Sequence, residues 1–179
     1  VVGIDDEVAG AKVRDVYSWF LYSSILSYGA IPVKYGIIKD NFEEIKETVE
    51  KALESCDIVL ISGGSSVGTR DETLKVIETL GEPGILVHGI AIKPGKPTII
   101  GKVCNKAVIG LPGHPASAYM VYKIFVEYMM DSLNELNLRK SGMAIAYMET
   151  NYPSNNGREE FLPVRLEDRT EGKIAVPLF

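Results

Sequence analysis

The sequence predicts an α/β fold: a three-layer, open and mostly parallel sheet with helices on both faces, followed by part of a small all-β domain. Three observations point to it. From residue 1 to about 135, short β-branched runs alternate with helical stretches. A glycine-rich segment, "SGGSSVGTRDE" (Ser62 to Glu72), stands between the apolar run "DIVLI" and a helical pattern. From about Ser141 the periodicity changes to that of strands. These put the α/β domain at residues 1–138 and the start of a C-terminal β domain at 139–179.

Taken in order, "VVG" reads as the cut end of a first strand, and with Val1 in place of Met it suggests an excised fragment. "RDVYSWFLYSSILSYG" reads as the first helix, stopped by Gly29, and Ile31 to Asp40 as the second strand. In the next helix Phe42, Ile45, Val49, Leu53 and Cys56 fall on one stripe, and Asn41 with Glu44 forms a capping box. "DIVLI" is short, continuous and β-branched, as in a strand buried on both faces. A helix from about Arg70 to Leu80 follows, with a capping box of Thr69 and Glu72 and a stop at Gly81. Then come "ILVHGIAI", the short "KPGKPTIIG", the strand "AVIGLPG", and a long apolar helix from Pro115 to about Leu133. Pro115 suits the first helical position, where its missing N–H is not needed. "MAIAYMET", "EFLPVRLED" and "KIAVPLF" read as strands.

Composition narrows the function. A chain of 179 residues at 46% hydrophobic can bury a full core, and a net charge of -5 argues against nucleic acid as a partner. No apolar run approaches the roughly 18 residues of a membrane span, and no signal peptide is visible. The expected setting is the cytoplasm, with Cys56 and Cys104 reduced and without metal-ligand spacing.

A glycine turn between a strand end and a helix start presents unpaired backbone N–H groups and the positive end of a helix dipole, which together hold an oxyanion. The alternative is a plain strand-to-helix turn. In an open parallel sheet, ligands bind at the carboxyl ends of the strands. Asp5, Asp6 and Glu7 follow the first strand, Asp40 the second and Asp71 the third, while Lys93 and Lys96 follow "HGIAI" and "LPGHP" follows "AVIG". Each carboxylate alone could be a helix cap and each lysine a solvated charge. Asn41 and Thr69 already hold the capping positions, however, which leaves Asp40 and Asp71 for other work. Carboxylates facing lysines suit Mg²⁺ and an oxyanionic or phosphorylated ligand. With His88 and His114 as the only histidines, a histidine-rich metal site is not expected.

"SGGSSVGTRD", "IKPGKP", "LPGHPASA" and "NNGREEFLPVRL", in this order and spacing, resemble the molybdopterin molybdenumtransferase family, which includes MoeA and the gephyrin E-domain. The resemblance implies an enzyme of molybdenum cofactor biosynthesis that inserts molybdate into adenylylated molybdopterin and releases AMP, with Mg²⁺. It also implies a homodimer with a shared active site, and further N-terminal domains in full-length members. Carried over by position, Glu7, Asp40, Asp71, Lys93 and Lys96 become the catalytic set, with the three carboxylates as metal ligands. Gly63, Gly64, Ser65, Ser66, Gly68 and Thr69, with Pro112, Gly113, His114 and Pro115, become the substrate and anion contacts. The chain departs from the family pattern at Asp5, where glycine is usual, at Tyr17, where asparagine is usual, and at His114, also in place of asparagine. Two other functions stay open: a non-catalytic member that binds a pterin or a partner, and a nucleotide- or pyrophosphate-processing α/β enzyme.

Overall fold

The computed structural model describes residues 1–3, 5–10, 13–63, 72–134, 142–154 and 157–178. Helix α1 (Tyr17–Tyr28) begins where the Asp15 carboxylate accepts a hydrogen bond from the Ser18 N–H at 3.0 Å. It ends at Gly29, whose φ of 100° is left-handed and lets Ala30 N–H reach back to Ile25 O at 3.1 Å. Helix α2 (Phe42–Ser55) carries the expected cap, with Asn41 Oδ1 accepting from Glu44 N–H at 3.1 Å. Helix α3 (Glu72–Thr79) buries Val76 and Ile77 completely. The capping box predicted at Thr69 lies outside the described residues.

The main sheet is mixed rather than mostly parallel. It contains β1 (Ile58–Ser62), β2 (Pro83–His88), β4 (Ile99–Val103) and β5 (Lys106–Leu111) in the order β1-β5-β4-β2; the two-residue β3 (Ile92–Lys93) lies outside it. Of the adjacent pairs only β1–β5 is parallel; β4 runs antiparallel to both β5 and β2. The reason is connection length. Cys104 and Asn105, with φ of 48° and 65°, make a two-residue turn between β4 and β5, and such a turn can join only antiparallel strands. A parallel neighbour needs a crossover of a dozen residues or more, and the chain between β1 and β5 is long enough to supply one.

Two predicted strands do not form. Val2 makes a single parallel bridge with Arg14 and no ladder. Residues 31–40 pair with no strand among the described residues, although their alternation is strand-like. Pro32 offers no N–H and Gly36 turns the chain at a φ of 84°, while the Tyr35 hydroxyl is drawn to Ser55 Oγ at 3.2 Å. β1 consequently sits at the sheet edge with only Val59 buried, not in the doubly covered interior that "DIVLI" suggested.

Helices cover both faces, as predicted. Ile109 and Leu111 of β5 pack with α1 and the long C-terminal helix, whereas Val108 packs with α2 and α3. The period-2 alternation of a strand divides the two cores. The long helix comprises α4 (Pro115–Val121), a π-helical turn (Tyr122–Val126) and α5 (Glu127–Leu133). Pro115 stands at its start, as expected.

The C-terminal stretch is β, with shorter strands than the sequence pattern suggests. β6 (Tyr147–Met148), β9 (Gly172–Pro177) and β8 (Val164–Arg169) make a three-stranded sheet in that order. β7 (Glu159–Glu160) leaves this sheet and pairs in parallel with β3. No helix among the described residues is long and apolar enough to cross a membrane.

Candidate functional site

Register decides which predicted residues meet. Because β1 and β5 are parallel with Ser62 opposite Leu111, the chain after Ser62 and the chain after Leu111 leave the sheet at one edge. Antiparallel β4 begins at that same edge, with Ile99 opposite Gly110, and β2 ends there, with His88 opposite Ile99. Gly63, the Pro112–His114 turn, the Lys93–Lys96 loop and His88 are thus gathered on one rim. Asp40 immediately precedes α2, which leads back into β1, so it lies toward this rim and is exposed. Glu7 is exposed in a segment without a strand link to the sheet. Gly64, Ser65, Ser66, Gly68, Thr69 and Asp71 lie outside the described residues.

The loop between β2 and β4 is tightly held. Gly89 N–H donates to Thr98 O at 2.8 Å and Ile90 N–H to Lys96 O at 2.9 Å, while the buried Thr98 hydroxyl donates to Gly95 O at 2.6 Å. At Gly95 a side chain has no room: a β-carbon would stand 2.7 Å from Ile92 Cδ1 and 2.9 Å from Val121 Cγ2. The loop is therefore seated on α4 by a residue that only glycine can be.

Lys93 and Lys96 have different partners. Lys93 Nζ pairs with Glu160 at 2.7 Å, and that carboxylate also accepts from the Tyr152 hydroxyl at 2.8 Å. Donating a hydrogen bond to Glu160 holds the Lys93 ammonium above its ordinary pKa, and the same carboxylate raises the Tyr152 hydroxyl. Lys96 instead lines an open cleft of about 310 Å³ with His88, Gly89, Ile90, Ala91, Gly157 and Arg158. Among the described residues no carboxylate lines this cleft. A lysine, an arginine and a histidine here offer side-chain donors suited to an anion, the planar Arg158 fork matching oxyanion geometry, while the Gly89 and Ile90 N–H groups are already used within the loop.

His114 is exposed at the N-cap of α4 and its side chain makes no capping hydrogen bond. Pro112 is buried, Gly113 and Pro115 exposed. Among the described residues no three His, Cys, Asp or Glu side chains stand together as a metal-holding group. Sequence reasoning missed Arg158 and His88. Arg158 lies inside the quoted "NNGREEF" run, and its position after a glycine was a signal; nothing local ties it to the lysine loop 62 residues earlier. Also missed was the buried pair in which the Tyr28 hydroxyl donates to Asp131 Oδ1, joining α1 to α5.

Fold and rim together define a class: an α/β domain that gathers Lys93, Lys96 and His88 at the strand-end edge of a mixed sheet. The chain belongs to the probable molybdopterin binding domain family, which matches residues 1–132. It is 31% identical over 139 residues to a molybdopterin molybdenumtransferase of Nostoc, covering 76% of this chain and 32% of that protein. It is 27% identical over 176 residues to the Bacillus subtilis molybdopterin molybdenumtransferase, covering 97% of this chain and 40% of that protein. A crystal structure of a molybdopterin biosynthesis MoeA protein from Pyrococcus horikosii superposes with a TM-score of 0.82 at 37% identity, over 99% of this chain and 42% of the other. The chain thus spans 32% to 42% of the length of these relatives.

Proposed function

We propose that this chain serves molybdenum cofactor biosynthesis as the pterin- and oxyanion-binding part of a molybdopterin molybdotransferase, which inserts molybdate into adenylylated molybdopterin and releases AMP. The observation that carries the reading is the cleft on the strand-end rim in which Lys96 and Arg158, with His88 beside them, are the charged lining among Gly89, Ile90, Ala91 and Gly157. Molybdate is a tetrahedral dianion. Lys96 supplies a point charge and Arg158 a paired donor, so the two offset its charge while the two dithiolene sulfurs bond to molybdenum and one oxygen leaves with their two protons as water. In this reading the backbone from Gly63 to Thr69 holds the phosphate end of the pterin, and Pro112 to Pro115 bounds it. Lys93, paired with Glu160, supports the Lys93–Lys96 loop. Mg²⁺ ligation by Glu7, Asp40 and Asp71 belongs to what the resemblance implies; Glu7 and Asp40, the described part of that set, do not alone make a magnesium site. The assembly is a homodimer acting in the cytoplasm.

Calorimetric titration of the chain with molybdate tests this. Lys96→Ala is expected to weaken binding by about 1–3 kcal/mol, the range for losing a charge-assisted hydrogen bond, and added salt is expected to weaken the parent. Unchanged affinity in a folded variant would make Lys96 a plain surface charge.

A further inference from the structure

The cleft is built from two stretches far apart in the chain, the 88–96 loop and the Gly157–Arg158 dipeptide, and little backbone joins them. The connection is the two-residue ladder of β3 and β7, with Glu159 N–H donating to Ala91 O and Phe161 N–H to Lys93 O, each at 2.8 Å. So short a ladder is marginal in water without side-chain support. Glu160 gives that support. Its side chain is only 9% exposed, it takes the Lys93 ammonium and the Tyr152 hydroxyl on one oxygen, and the Ser154 hydroxyl reaches the other at 3.4 Å.

We infer that Glu160 is a positioning residue for the anion cleft: by clamping Lys93 across the β3–β7 ladder it holds Arg158 opposite Lys96. The inference rests on the reading of that cleft as an anion site. It opposes what simple charge counting gives. A carboxylate two residues from Arg158 should repel an anion, so its removal should tighten binding and release Lys93 as a further cation. If Glu160 acts through geometry, its removal loosens Arg158 and weakens binding instead. The raised pKa directions of Lys93 and Tyr152 agree with a carboxylate that both groups hold.

The test titrates the 179-residue chain with molybdate at fixed ionic strength, with circular dichroism as a check of folding. Glu160→Gln is expected to bind about tenfold more weakly, and the molybdate-induced shift of the Arg158 side-chain N–H resonance is expected to shrink. The exchanged pair, Lys93→Glu with Glu160→Lys, restores the clamp with reversed polarity and is expected to recover most of the affinity. Should Glu160→Gln fail to fold, Tyr152→Phe removes one donor from the clamp and is expected to weaken binding two- to threefold. Binding by Glu160→Gln, or by its Tyr152→Phe substitute, that is as tight as the parent or tighter overturns the positioning role, provided Arg158→Ala and Lys96→Ala still weaken it. If Arg158→Ala and Lys96→Ala bind molybdate as well as the parent, the anion-site reading itself fails.

Discussion

Lys93 and Lys96 occupy one loop and one motif, yet their environments differ. Lys93 is half-buried and committed to Glu160, while Lys96 is exposed on a cleft that no carboxylate among the described residues lines. The Lys93–Glu160 pair makes stability depend on pH. The folded chain raises the Lys93 pKa, so the contribution is complete below the ordinary lysine value of about 10.4 and is lost as pH rises through the higher folded value. Tyr152, raised by the same carboxylate, is lost in the same direction. Thermal melts of the parent and of Lys93→Met are therefore expected to differ by a constant amount from about pH 7 to 10 and to converge above that. A gap that stays constant into strong alkali would mean that the pair contributes nothing to folding.

Among the elements, the loop from β3 to β4 has the tightest sequence requirement. Gly95 takes a φ of 125° and faces Ile92 and Val121 at distances that no β-carbon tolerates. Gly95→Ala is expected to cost about 1–3 kcal/mol through overpacking, before any backbone strain is added. A urea denaturation midpoint that falls with an unchanged slope would confirm this. An unchanged midpoint would show that Ile92 and Val121 move aside. The same seating fixes Lys96, so the variant is also expected to weaken molybdate binding. The mixed sheet has a functional consequence too: β2 carries the chain to the rim where β1 and β5 end and antiparallel β4 leaves from it, which places the lysine loop on the same rim as Gly63.

Across the whole molecule, two cores share one sheet, and the core under α1 is tied to α5 by Tyr28 and Asp131. Tyr28→Phe removes a donor from a buried carboxyl and is expected to lower stability by about 1–3 kcal/mol, read as a lower melting temperature. A melting temperature equal to the parent's would place that pair outside the cooperative core. Function at this scale depends on how much of the relatives' length the chain spans, which is 32% of the Nostoc protein and 40% of the Bacillus subtilis protein. Cations on a rigid rim bind wherever they stand, whereas turnover needs every donor placed to within a fraction of an ångström. Residues 1–179 alone are expected to bind molybdate and to release no AMP from adenylylated molybdopterin. Multiple-turnover AMP release by these residues would locate a complete site within them.

The helices were legible because their signals are local: the Asn41 cap, the Gly29 stop and Pro115 at a helix start each act within one turn of their own residues. The strands β1 and β5, and the family resemblance carried by four motifs, were equally plain in the sequence. Strand pairing was not, because a ladder needs a partner that local alternation cannot name; residues 31–40 have the alternation and no partner among the described residues. Lys93 and Lys96 look alike as residues, and only the fold brings Glu160 to one and Arg158 to the other. Which charged groups the chain carries is written in its residues, but their pairing belongs to the fold, since a salt bridge between residues 67 positions apart depends on the β3–β7 register and on nothing nearby in the chain.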